Sequence, residues 1–110
     1  MMKTLTITVA ATLAFATLPA QAANPEAGKA KVQEICQACH GMDGLSVVSP
    51  EYPRLAGQHR DYLAKALRDY KSGARKNAVM NGMVATLTAA DLEHVAAYYS
   101  AQPTALYTRY

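Results

Sequence analysis

Two cysteines and a histidine stand within five residues of one another, in the segment Cys36-Gln37-Ala38-Cys39-His40. Thiols separated by two residues can close a disulfide, act as a thioredoxin-like redox pair, supply half of a zinc site, or form thioether bonds to the two vinyl groups of one porphyrin. In the last case the imidazole that follows is held beneath the iron as its proximal ligand. The segment therefore predicts a redox or metal site.

The rest of the chain favours haem over zinc or a thioredoxin-like pair. A zinc site needs further Cys or paired His, and only His59 and His94 remain outside the segment. A thioredoxin-like pair lies at a strand-to-helix turn, and the sequence shows no strand pattern. We therefore predict one covalently attached haem c, bonded through Cys36 and Cys39, with His40 as an iron ligand.

The N-terminus has the features of a secretory signal peptide. Lys3 precedes an uncharged stretch over residues 5–18, and Ala20-Gln21-Ala22 has the small-residue pattern of a cleavage site. The stretch is shorter than the roughly 20 apolar residues of a membrane anchor. We expect a cleaved leader over residues 1–22, no membrane span after cleavage, and a soluble domain over residues 23–110 in the periplasm, where covalent haem attachment takes place.

The chain of 110 residues has room for one domain. Cleavage would remove Lys3 from the 11 basic residues while all 8 acidic residues remain, so the net charge would fall from +3 to +2. So small a charge gives no general case for binding nucleic acid or lipid. The only Phe, Phe15, lies in the leader and Trp is absent, so a large apolar cofactor would help to fill the interior.

Hydrophobic periodicity and capping residues predict an all-α domain with three or more helices and long loops. We expect helices over residues 25–36 and 59–72, and a last helix between its cap Thr88 and Pro103. The intervening segments, 41–58 and 74–87, are expected to be loops. Loops of this length are unusual in a small domain unless they wrap around something.

The second face of the iron needs a ligand from elsewhere in the chain. Outside the leader there are three Met residues, and Met42 lies too close to His40 to reach across the haem. Met80 and Met83 remain as candidates, both in segment 74–87. From spacing alone, either could equally be a core side chain that fills a gap.

Four segments of the sequence resemble class I c-type cytochromes, above all the haem domains of bacterial dihaem cytochromes of the c-four kind and related monohaem cytochromes. The segments are AGKAKVQEICQACHGMDG, YPRLAGQHRDYLAKALRDYKSGAR, VMNGMVATLT and DLEHVAAYYSAQ. Together they cover most of residues 27–102. The resemblance implies the small all-α class I cytochrome c fold, wrapped around one haem.

The resemblance also implies a ligand set. In the family the distal ligand is the first Met of an M-x-G element, and Met80-Asn81-Gly82 matches it, so Met80 is the expected ligand and Met83 a packing residue. The carbonyl of Pro53 is expected to accept the Nδ1 proton of His40, which would fix the ring and raise its basicity.

The same resemblance implies how the terminal helices pack, but it says nothing about contacts with a second domain or about the C-terminal tail. Gly28 and Val32 are expected to pack on Val95 and Tyr98, as in the crossed terminal helices of class I cytochromes. However, c-four proteins have two haem domains and this chain has one attachment motif, so contacts made through a second domain do not carry over. The tail over residues 104–110 has no counterpart.

A haem iron with His and Met ligands has no open position for a substrate, so the expected function is single-electron transfer and not enzymatic catalysis. The expected partners are redox proteins such as membrane or periplasmic oxidoreductases. A haem enzyme or gas sensor with an open or labile sixth position is an alternative. So is a dedicated electron-transfer subunit of a larger oxidoreductase, and the sequence identifies neither donor nor acceptor.

A basic cluster lies within residues 59–76, where six basic residues stand against two acidic ones. It is either a solvated helix face or a surface that steers an acidic partner. The basic residues are Arg60, Lys65, Arg68, Lys71, Arg75 and Lys76.

Overall fold

The computed structural model describes residues 22–104. The predicted leader, apart from Ala22, lies outside the described residues, and so do residues 105–110 of the tail. The described chain consists of helices and loops, which confirms the predicted all-α class. Its helices are α1 (Pro25–Lys31), a π-helical segment (Val32–Cys36), α2 (Gln37–His40), α3 (Arg60–Ser72), α4 (Ala78–Val84) and α5 (Ala89–Ser100). None of these helices is long and apolar enough to cross a membrane.

Helix α1, the π-helical segment and α2 form one helical run that carries the C-x-x-C-H motif. The run begins as predicted, because the side chain of Asn24 accepts the Glu26 N–H at 2.9 Å and Pro25 occupies the first turn. The predicted end at Cys36 was wrong. The helix continues to His40 and stops at Gly41, whose φ of +75° few other residues adopt.

The terminal helices cross in close contact. A Cβ on Gly28 would collide with the carbonyl oxygen of His94 and lie 3.0 Å from the Cβ of Tyr98. Val32 is fully buried in the same cluster as Val95 and Tyr98. The packing that the resemblance implied is confirmed, and the helix-weakening glycine is explained by this close approach.

Segment 74–87 was predicted to be a loop, and this was wrong because it contains α4. The side chain of Asn77 caps that helix by accepting the Met80 N–H at 3.0 Å. Seven residues that include a glycine show too little periodicity to predict a helix. The preceding helix, α3, begins within one residue of its prediction and ends at Gly73 with φ +82°.

Two buried clusters form the core, and Leu67 of α3 packs against both of them. The larger cluster joins the first helical run to α3 and α5. The smaller one consists of Val84, Leu87 and Leu92. Residues of the larger cluster are Val32, Leu63, Ala64, Val95, Ala96, Tyr98 and Tyr99.

Candidate haem site

The motif residues lie on one side of the first helical run. Residues three and four apart in a helix are neighbours on its surface, so Cys36, Cys39 and His40 share a face. Cys36 closes the π-helical segment, in which the Gln37 N–H reaches back to the Val32 carbonyl. Such segments are often found at functional sites. Both cysteines are half-buried and neither is in a disulfide, so both thiols are available for bonding.

Burial raises the pKa of the Cys36 thiol to about 11, because a thiolate would lose its hydration against the apolar core. Reactive redox cysteines show the opposite shift, in electropositive surroundings. The environment of Cys36 therefore disfavours a thioredoxin-like pair. Within residues 22–104, no three His, Cys, Asp or Glu side chains are grouped so that they could hold a metal ion.

His40 is 7 % exposed, and it is the buried polar side chain of the described region. Its Nδ1 lies 2.9 Å from the carbonyl oxygen of Pro53. A carbonyl can only accept, so Nδ1 carries the proton and the lone pair of the neutral ring is on Nε2. The ring of Tyr52 meets the imidazole edge-on, with centroids 6.1 Å apart. The imidazole is therefore held in place with a free nitrogen for an iron.

Two tyrosines of α5 fix the chain directly after His40. The Tyr99 hydroxyl donates to the carbonyl of Gly41, and the Tyr98 hydroxyl donates to the carbonyl of Met42, each at 2.9 Å. Burial raises the pKa of Tyr99 well above its ordinary value. From the sequence, Tyr98 was assigned a packing role only, and neither tyrosine was assigned a partner for its hydroxyl. Their hydroxyls were the missed signal, because a buried tyrosine needs a hydrogen-bond partner.

Asp43 organises the loop that follows, and sequence reasoning missed it too. Its carboxylate accepts the Ser46 hydroxyl at 2.6 Å and the backbone N–H groups of Ser46 and Leu45. These hydrogen bonds, that of the Ser46 hydroxyl first, lower the pKa of Asp43 to about 2. The Asp-Gly pair at positions 43 and 44 was the available turn signal.

The two candidate methionines differ in burial. Met80 is half-buried and packs against the smaller core cluster. Met83 is 45 % exposed and its neighbour on the same helix face, Val79, is 52 % exposed. Leu67 connects the cluster beside Met80 to the one beside Cys36.

This donor set fits a covalently bound haem. It offers two unpaired thiols on one helix face, an imidazole oriented through Nδ1, and the half-buried thioether of Met80. One apolar cluster packs against Cys36 and the other against Met80. The same residues do not fit a site for a bare metal ion.

A family model described as Cytochrome c matches residues 25–101. The chain belongs to the cytochrome c family. Together with the C-x-x-C-H spacing of Cys36, Cys39 and His40, this membership shows that the cytochrome carries one covalently bound haem c.

Individual relatives support the assignment to the cytochrome c family. The chain is 46 % identical over 83 residues to cytochrome c4 of Thiocapsa roseopersicina, covering 76 % of this chain and 42 % of that protein. It is 48 % identical over 79 residues to the thiosulfate dehydrogenase electron acceptor of Thiomonas intermedia (strain K12), covering 72 % of this chain and 34 % of that one. It therefore spans less than half of the length of either curated relative.

The fold agrees with a solved structure. The crystal structure of reduced recombinant cytochrome c4 from Pseudomonas stutzeri matches with a TM-score of 0.68 and 44 % identity, over 74 % of this chain and 47 % of that chain. The predicted class I cytochrome c fold is confirmed.

Proposed function

We propose that this cytochrome is a periplasmic single-electron carrier with one haem c ligated by His40 and Met80. The observation that carries the proposal is the pair of ligand positions: an imidazole held by the Pro53 carbonyl, and a half-buried methionine packed against the core. Bound haem supplies one-electron chemistry between its ferric and ferrous states. The proposed protein has a cleaved leader over residues 1–22 and a single monohaem domain over residues 23–110.

His40 and Pro53 act together in this proposal. The carbonyl fixes the rotation of the imidazole about the Cβ–Cγ bond. By accepting the Nδ1 proton, it also makes Nε2 a better electron-pair donor to the iron. The Tyr98 and Tyr99 hydroxyls hold the backbone between the two residues, so the imidazole has little freedom to turn. A ligand that does not move reorganises little when the charge of the site changes.

Met80 is the proposed second ligand because of its position on α4. It faces the core cluster of Val84, Leu87 and Leu92, whereas Met83 on the same helix is 45 % exposed. A thioether is a poor donor to ferric iron, so Met80 would favour the reduced state. With both axial positions filled, the site has no place for a substrate, and we propose that the chain is not an enzyme.

The free histidines give little support to an enzyme or gas sensor. The Nδ1 atom of His94 accepts the backbone N–H of Asn24 at 2.9 Å, at the outer end of α1. His59 is exposed and precedes α3. In these positions neither imidazole supports a role as a distal acid or hydrogen-bond donor.

Redox enzymes are the proposed partners. One relative is named as the electron acceptor of thiosulfate dehydrogenase, and the same kind of exchange suits a carrier with this site. Within the basic cluster, Lys65 pairs with Asp69 and Arg68 with Glu93. Arg60, at the start of α3, lies 3.6 Å from Asp61. We propose that Lys71, Arg75 and Lys76, near the α3–α4 connection, contribute to docking.

The test is a redox titration of the purified holoprotein followed by exposure of the reduced form to carbon monoxide. We expect one electron per haem, full reversibility, and no carbon monoxide complex on mixing, because Met80 occupies the sixth position. Rapid, tight carbon monoxide binding would contradict the proposal and favour the enzyme or sensor alternative.

A further inference from the structure

The side-chain amide of Asn81, directly after Met80, forms hydrogen bonds with three backbone groups. Its Nδ2 donates to the carbonyls of Tyr70 at 2.6 Å and Arg75 at 2.9 Å. Its Oδ1 accepts the N–H of Asn77 at 2.9 Å. Carbonyls only accept and a backbone N–H only donates, so this amide has one orientation that satisfies all three groups.

These three backbone groups belong to three consecutive parts of the chain. Tyr70 lies in the last turn of α3, Arg75 in the connection that follows, and Asn77 at the start of α4. Asn77 also links this set of hydrogen bonds to the methionine, because its side chain accepts the Met80 N–H at 3.0 Å. The Arg75 guanidinium lies over the Tyr70 ring, 4.8 Å from its centroid, which adds a second link across the same connection.

Helix α4 depends on such links. A helix of seven residues is too short to be stable by itself, so contacts with the rest of the domain determine where it lies. Its far end has one comparable tie, from the Lys71 ammonium to the Ala85 carbonyl at 2.9 Å. Near Met80, the Asn81 amide ties the helix to α3, in addition to the Asn77 cap and the packing of Met80 on the smaller cluster.

We propose that Asn81 is a positioning residue that holds the Met80 sulfur on the haem iron and sets how readily it leaves. The inference rests on the proposed His40 and Met80 ligation. Without the amide, the Arg75 carbonyl loses this donor, the Tyr70 carbonyl keeps only the Gly73 N–H, and α4 loses one of its attachments to α3. The state in which Met80 has moved away then becomes less costly relative to the bound state.

The test is a titration of the ferric holoprotein with imidazole, which binds the iron only when Met80 has left. Its apparent affinity therefore reports the fraction of protein with an open sixth position. For Asn81→Ala we expect that affinity to rise about tenfold, the change that the loss of one or two ordinary hydrogen bonds produces. The weak far-red absorption band of methionine sulfur on ferric haem should lose intensity in the same variant.

The matched control is Asn24→Ala, the same substitution at the cap of α1. Asn24 also bonds two backbone groups, the N–H groups of Glu26 and Ala27, but it lies on the terminal helix and not on the methionine connection. We expect Asn24→Ala to lower stability while imidazole affinity stays within about twofold of the parent. A general loss of stability would move both variants alike.

A second variant covers the case in which Asn81→Ala does not fold. Asn81→Asp keeps the size of the side chain and the acceptor for the Asn77 N–H but loses both donors, so imidazole affinity should rise in it as well. Parent-like imidazole affinity in a folded Asn81 variant would overturn the inference. If Met80→Ala left the far-red band of the parent unchanged, the proposed ligation would fail instead, so the two failures are distinguishable.

Discussion

The two proposed iron ligands are held in different ways. His40 is 7 % exposed, ends a helical run that crosses α5, and bonds the Pro53 carbonyl through its imidazole. Two tyrosine hydroxyls of α5 bond the carbonyls of the next two residues. Met80 lies on a seven-residue helix that is exposed on one face and tied to α3 by the side chains of Asn81 and Lys71. One ligand is therefore buried, and the other is half-buried on a short helix whose opposite face is exposed.

This difference implies unequal local stability. Segments with few buried contacts and solvent-accessible hydrogen bonds open at lower free energy than the core around them. We call α4 and the α3–α4 connection the methionine side, and the first helical run with α5 the histidine side. We expect the methionine side to open first and the histidine side to persist until the domain unfolds. The following changes test that comparison on one side or the other.

The largest expected effect is on the histidine side. Cys36→Ser or Cys39→Ser should leave most of the protein unfolded or degraded in the periplasm, because bound haem supplies much of the interior of so small a domain. The measurement is the yield of holoprotein by haem stain and absorption, with Met83→Ala as a control that should give the parent yield. Folded, haem-free protein at normal yield would refute this role of the haem.

Gly28→Ala should destabilise the same side. Its added Cβ would collide with the His94 carbonyl, so we expect the free energy of unfolding to fall by about 1–3 kcal/mol, the usual cost of overpacking. Denaturant unfolding followed by circular dichroism measures the loss.

Lys29→Ala on the exposed face of α1 is the control for Gly28→Ala and should change the free energy of unfolding by less than about 0.5 kcal/mol. If Gly28→Ala were stabilising, as helix propensity alone would predict, the crossed packing described above would be wrong.

On the methionine side, denaturant should remove the far-red band before it removes helical structure. The expected order follows from the short α4 and its exposed ties. Both signals can be recorded on one sample of ferric protein across a guanidinium series. Coincident curves for the band and for circular dichroism would show that the two sides unfold as a unit.

The smallest effect concerns docking near the α3–α4 connection. Lys76 is exposed and pairs with no carboxylate in the described part of the chain, unlike Lys65 and Arg68. With an acidic redox partner, Lys76→Glu should slow association about twofold to tenfold at low ionic strength and flatten its salt dependence.

Lys29→Glu on α1 makes the same charge change elsewhere on the surface, and we expect it to have less effect on association. Equal effects of Lys29→Glu and Lys76→Glu would mean that net charge matters and that location does not.

Much of the histidine side was predictable because its signals are local. The motif, the Asn24 cap and Gly28 each act through neighbouring residues or through the absence of a side chain. The prediction missed the continuation of the helix to His40, although Gly41 follows directly. It also missed the Tyr98 and Tyr99 hydroxyl bonds, which join residues more than fifty positions apart.

The methionine side was less predictable because side-chain bonds to backbone carbonyls position it, and no local sequence motif identifies them. Helix α4 has too few residues for a periodic pattern, and its position depends on the Asn81 and Lys71 bonds to backbone carbonyls. Such bonds leave no trace in hydrophobic spacing. The M-x-G resemblance pointed to Met80, but it gave no indication of what holds that residue.

The most direct test of the account compares Met80→Ala with Met83→Ala in the ferric holoprotein by absorption spectroscopy and redox titration. We predict that Met80→Ala keeps its covalent haem, loses the far-red methionine band and shows a lower reduction potential, while Met83→Ala matches the parent in all three. Loss of the band in Met83→Ala with its retention in Met80→Ala would contradict the proposed ligation.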